Sequence, residues 1–182
     1  MSIQYSIDSA DRIRFINEAW LQFACQNAGE HLNRAHVIGR SLWEFIEGED
    51  VKQIYELIFK SARTKSLPVV FRFRCDSPVY RRYFLLTVSP LHDGELMLST
   101  HPIREVSRNP VPLLNPDAPR GKPSLRICSW CIKACLPTDE WVELEDVINR
   151  FDVLGSGTVP LLTHGICSKC AIAIKNELKN LR

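Results

Sequence analysis

VVFRFRCDSPVYRRYFLLTVSPLHDGELMLSTHPI, residues 69–103, reads as three consecutive antiparallel strands, and this reading decides the fold. In VVFRFRC, Val69, Phe71, Phe73 and Cys75 fall on one face, with Arg72 and Arg74 on the other. That is the period of a strand with one buried side. RRYFLLTVSPL is apolar on both faces, as a central strand must be. Asp93-Gly94 is a turn signal, and ELMLSTHPI after it is the closing strand.

Upstream, IQYSI and RIRFI read as two short strands around the turn-like DSAD. Asn17 is placed to cap a helix that buries Trp20, Phe23 and Ala24. SLWEFI reads as a short helix or turn. Val51, Ile54, Tyr55, Ile58 and Ala62 make one apolar stripe of a longer helix, with Asp50 as its expected cap. Pro68 ends that region. Two strands, several short helices, one long helix and three antiparallel strands follow in that order.

This order resembles the PAS domain over roughly residues 3–106. The likeness is carried by IRFINEAW, IGRSLWEFI and the closing strands. It implies an α+β fold: a five-stranded antiparallel sheet with helices over one face. It also implies sensing, through a small ligand held between helices and sheet or through protein contacts. The Asn-Cys-Arg motif of the photoactive flavin (LOV) type is missing, since Cys25 sits in QFACQNAG. The long helix VKQIYELIFKSARTK has no His for haem, although His31 and His36 precede it in a loop. The protein is therefore expected to be colourless. Trp43, Phe45, Phe71, Phe73 and Tyr83 could line a cavity for an unknown small ligand, or could simply fill the core. Arg72, Arg74, Arg81 and Arg82 flank the first hairpin. They suit an anion or partner site, and equally a sheet edge protected by charge.

Downstream, SRNPVPLLNPDAPRGKPS contains five prolines, which forbid an α-helix and suit an extended linker over residues 107–124. The expected organisation is a PAS-like domain at 1–106, this linker, and a small module at 125–182. Of the seven Cys residues, five fall after residue 127. That clustering points to metal or thiol chemistry rather than to a disulfide framework.

Cys128-Ser-Trp-Cys131 and Cys167-Ser-Lys-Cys170 are two CxxC pairs. Two intervening residues let one tight turn present both thiolates to one ion, and two such turns close a tetrahedral zinc site. After Cys170, Ala171, Ile174, Leu178 and Leu181 share one helical face, so the second pair opens a terminal helix. Helix-end N–H groups favour thiolates there. The order of knuckle, strand-like EWVEL and helix-start ligands resembles the treble-clef zinc fold. CxxC followed by HGxCxxC also resembles a cysteine-rich tail found after sensory domains of bacterial signalling proteins. An iron–sulfur cluster accepts the same four ligands. A c-type haem needs CxxCH, and Ile132 and Ala171 stand where that His would be. His164 is a candidate to replace one thiolate or to hydrogen-bond a ligand sulfur. Cys135 is a spare thiol or a redox-active fifth Cys.

Charge narrows the function classes. Residues 1–106 carry 13 basic and 13 acidic side chains, and residues 125–182 carry seven of each. The net +2 sits in the linker, so neither domain offers the basic excess of a nucleic-acid reader. HExxH, P-loop and GxSxG motifs are absent, so no enzyme is expected. With no long apolar run and no signal-like start, no membrane anchor is expected and the location is expected to be cytoplasmic. The expectation is a signalling protein whose PAS-like domain senses or docks and whose four-cysteine zinc module relays its state by protein contact, as a dimer or with another protein. The rival readings are a zinc-finger DNA-binding regulator and a thiol or zinc redox sensor. Removing zinc is expected to unfold the small module and leave the PAS-like domain intact.

Overall fold

The computed structural model describes residues 2–150 and 158–181 of the chain. Residues 151–157 and 182 of the expected small module lie outside the described residues. Two short strands, β1 (Ile3–Ile7) and β2 (Ile13–Ile16), open the fold. Helices α1 (Glu18–Gln26), α2 (Arg34–Val37) and α3 (Glu49–Lys65) follow, with a 3-10 turn at Leu42–Glu44. Strands β3 (Val69–Arg74), β4 (Tyr80–Pro90) and β5 (Leu96–Ser107) complete a sheet of order β2-β1-β5-β4-β3. Every pair in it is antiparallel. This is the expected PAS-like sheet with helices alongside.

The local reasons are mostly those read from sequence. Asn17 accepts the Trp20 N–H at 2.9 Å and caps α1. In that helix, however, it is Ala19 that is buried, while Trp20, Phe23 and Ala24 are half-covered. Ser41 and Glu44 form a reciprocal capping box on the 3-10 turn. On α3, Ile54, Ile58, Phe59 and Ala62 are buried against Val69, Leu86, Val88 and Leu98 of the sheet, and Val51 is buried as well.

Asp50 is not the cap of α3. Gly48 occupies that place with φ +87°. A Cβ there would lie 2.6 Å from the His164 carbonyl oxygen, so only glycine admits the C-terminal chain this close.

The C-terminal part builds a second sheet. Strands β6 (Arg120–Cys128), β7 (Ala134–Cys135), β8 (Trp141–Val142) and β9 (Val159–Gly165) lie in the order β8-β7-β6-β9, and β6 and β9 run parallel. A short helix α4 (Leu144–Arg150) precedes β9, and α5 (Ser168–Asn180) ends the described chain. The proline-rich stretch holds a 3-10 turn at Pro112–Leu114 and the first residues of β6. Val111 and Leu113 within it are buried with Ile127, Ala134, Val142, Leu144, Val147 and Val159. Those apolar side chains pin the stretch to the second sheet, and the prolines alone gave no sign of it. Among the described residues no helix is long and apolar enough to cross a membrane.

Candidate metal centre

The parallel β6–β9 ladder sets Cys128 opposite Gly165, two residues before Cys167. It therefore brings the start of one CxxC turn beside the start of the other. Cys128 ends β6, and the chain then turns through Ser129–Ile132, closed by the Ile132 N–H donating to the Cys128 carbonyl at 2.9 Å. Cys167 is the N-cap of α5, and its sulfur accepts the Cys170 N–H at 3.4 Å. The Cys167 N–H in turn donates to the Cys128 sulfur at 3.4 Å.

The Sγ atoms of Cys128, Cys131, Cys167 and Cys170 all lie within 4.8 Å of one another. The Cys131–Cys167 separation is 3.8 Å, about the ~3.8 Å edge of a tetrahedron with metal–sulfur bonds of ~2.3 Å. Cys128 and Cys167 are buried and the other two half-buried. The thiol protons are shared unequally. Hydrogen bonds from Cys131 and Cys170 hold the Cys128 thiol far below its ordinary range, and the same bonds push those of Cys131 and Cys170 up. The donor set and its spacing fit one four-coordinate metal ion, with no ligand position left over.

His164 and Cys135 stand outside this cluster. The His164 Nδ1 lies 3.4 Å from the Ser129 Oγ, and its Nε2 lies 3.9 Å from Glu47. Cys135 is in β7, with its sulfur 3.5 Å from the Asp139 carboxylate.

Trp130 stands between the two cysteines of the first turn and is buried in the PAS-like core. Its ring centroid is 5.4 Å from Tyr55, 6.1 Å from Phe71 and 6.5 Å from Phe73. Its carbonyl accepts the Arg74 N–H at 2.9 Å. The suggested cavity residues divide accordingly. Phe71 and Phe73 meet on Trp130, with Phe73 also stacked on Phe84. Trp43 packs on Phe59, Phe45 on His36, and Tyr83 lies beneath the Arg74 guanidinium.

Polar contacts hold the C-terminal part against the first sheet. The Asp50 carboxylate accepts the Ile166 N–H at 3.0 Å, next to Cys167, and also pairs with Arg126. Arg74 reaches Asp76 at 2.5 Å and Glu143 at 2.8 Å, while Arg81 reaches Glu145 at 2.8 Å. Arg108 joins Asp76 at 3.1 Å and Glu145 at 3.3 Å. The hairpin arginines Arg74 and Arg81 thus meet carboxylates of the chain's own C-terminal part. Arg82 binds the Cys75 carbonyl and Asn27. Sequence reasoning missed Trp130, Asp50, Glu143 and Glu145. The signal for Trp130 was a large aromatic inside a metal turn, where a small polar residue suffices.

Strand order and helix placement make the N-terminal part PAS-like. Two solved structures are similar to part of this chain. One is a sensory box sensor histidine kinase from Vibrio cholerae, 8% identical, covering 57% of this chain and 82% of that one with a TM-score of 0.41. The other is the PAS domain of an HTR-like protein from Haloarcula marismortui, 17% identical, covering 56% and 81% with a TM-score of 0.35. No protein-family model and no curated protein matches the sequence.

Proposed function

We propose that this chain is a signalling protein in which Cys128, Cys131, Cys167 and Cys170 hold a structural zinc ion and the metal turn reports to, or from, the PAS-like domain through Trp130. Bound zinc would supply a rigid cross-link between the two turns, with no open position for catalysis. The residues of the chain do the rest. N–H groups at Cys167 and Cys170 orient the sulfurs, Asp50 fixes the approach to Cys167, and Trp130 fills the space between α3 and β3.

The observation that carries this reading is the place of Trp130. Cys131 beside it and Cys128 just before Ser129 belong to the sulfur cluster, while its ring belongs to the core of the other sheet. A change in the PAS-like core would move the turn, and a change in the turn would move the core. The output is contact with a protein partner.

Native mass measurement of the purified chain tests the metal assignment. One zinc per chain is expected, lost in Cys128→Ser and Cys170→Ser and retained in Cys135→Ser and His164→Ala. Tight zinc in Cys128→Ser would contradict it.

A further inference from the structure

The arginines of the β3–β4 hairpin have partners within the chain, with one exception. Arg74, Arg81 and Arg82 are used as described, but Arg72 is exposed and makes no ion pair among the described residues. It sits on the outer edge of the sheet, because β3 is a terminal strand in the order β2-β1-β5-β4-β3. The Cys75 N–H donates to Arg82 on β4, whereas the Arg74 N–H donates outward to Trp130. Main-chain groups alternate along an antiparallel pair. Val69, Phe71 and Phe73 therefore face β4, and Val70 and Arg72 present their N–H and C=O groups to the outside. Neither has a hydrogen-bond partner there among the described residues.

A groove of about 510 Å³ runs beside this edge. Val70, Arg72 and Leu85 line it from the sheet, and Trp130, Ala173, Ile174 and the exposed Glu177 line it from the C-terminal part. It is an unpaired strand edge beside a mostly apolar wall that carries one carboxylate, Glu177, and the Trp130 carbonyl already makes the first outward bond of the row.

We propose that this groove docks an extended segment of a partner protein, which adds to β3 as a sixth strand. The proposal rests on the contact-relay reading above and names its partner surface. Side chains of an added strand alternate between the two faces. Those on the inner side meet Phe71, Trp130 and Ile174. Those on the outer side lie beside the unpaired Arg72 guanidinium. The segment is therefore alternately apolar and polar, with an acidic side chain where it passes Arg72 on the strand side, across the groove from Glu177. A second copy of this chain does not fit, because its own β3 edge is walled by its own α5, and edge-to-edge pairing would drive two helices into one groove.

The test uses the zinc-loaded full chain and the peptide acetyl-Thr-Ile-Asp-Val-Asp-Ile-Thr-amide, with binding followed calorimetrically. Saturable binding is expected, weakened about tenfold or more when alternate peptide nitrogens are methylated. Replacing both Asp by Lys weakens it similarly, and Arg72→Glu restores binding of the Lys peptide. Val70→Pro abolishes binding while zinc content and circular dichroism stay unchanged, because an outward edge N–H is one that proline can replace. Three results overturn the proposal: no saturation at about 1 mM peptide, equal binding of the methylated peptide, or a dimer of the free chain that Val70→Pro dissociates. Peptide affinity that survives zinc removal unchanged would instead overturn the relay reading and leave the groove standing.

Discussion

Trp130 shows how a single side chain can belong to two structures. The CxxC spacing around it was legible because metal geometry is local: two thiolates on one turn need two residues between them. Its burial against Tyr55, Phe71 and Phe73 was not, because no periodicity along the chain encodes contact with residues so distant in sequence. Trp130→Ala should keep one zinc per chain yet cost about 3–5 kcal/mol in denaturant unfolding, the usual range for a large buried aromatic. A cost near zero would mean the ring is not part of the core. Asp50 departs from its sequence reading for a related reason. An acidic residue before an apolar stripe has the signature of a cap, but its carboxylate is used by the Ile166 N–H and Arg126 instead. Asp50→Ala should lower stability by about 1–3 kcal/mol, the cost of a lost bond and an unsatisfied donor. Gly48→Ala should also destabilise, since its Cβ would meet the His164 carbonyl and its φ is positive. Unfolding midpoints of the two variants check both expectations.

Among the elements, the five strands of the first sheet and α3 were legible from period and punctuation, whereas β6, β7 and β9 were not read and EWVEL gives only the two-residue β8 before α4 begins. The short helix α4 was missed. It has only seven residues, and its acidic first turn reads as loop. Yet that turn supplies Glu145, which with the preceding Glu143 gathers Arg74, Arg81 and Arg108. Burial alone would raise the Glu145 carboxyl. The N–H at its own helix start, Arg81 and Arg108 outweigh burial and hold it below the usual 4.5. A carboxylate depressed in the folded state contributes stability above its unfolded value and loses it as pH falls through the folded one. Glu145→Gln should therefore destabilise at pH 7, and its gap from the parent should close as pH drops below 4.5. A gap that persists unchanged into acid would show that the Arg81 and Arg108 contacts contribute nothing. The proline-rich stretch illustrates the opposite limit. Its five prolines specify the lack of α-helix, but Val111 and Leu113 decide where it lies.

For the molecule as a whole, the two CxxC pairs and the order of elements could be read from sequence, and the α+β class with its five-stranded antiparallel sheet followed from the resemblance to PAS domains. How the C-terminal part meets the sheet could not. Cys128, Trp130, Cys167 and Ile174 share one apolar core with Ile58, Phe71, Val88 and Leu98. Zinc binding at a structural site contributes roughly 10 kcal/mol or more of apparent free energy at neutral pH. In a shared core that free energy stabilises both sheets, so independent loss of the small module is no longer the expected outcome. On this reading the four-cysteine centre and the PAS-like core form one cooperative unit joined at Trp130. Hydrogen exchange of backbone amides, before and after a chelator removes zinc, is the decisive measurement. Protection should fall in β6, β9 and α5 and also in β3 and α3, with the Arg74 amide among the first to exchange. Loss confined to the residues after 125, with β3 and α3 as protected as before, would contradict a single cooperative unit.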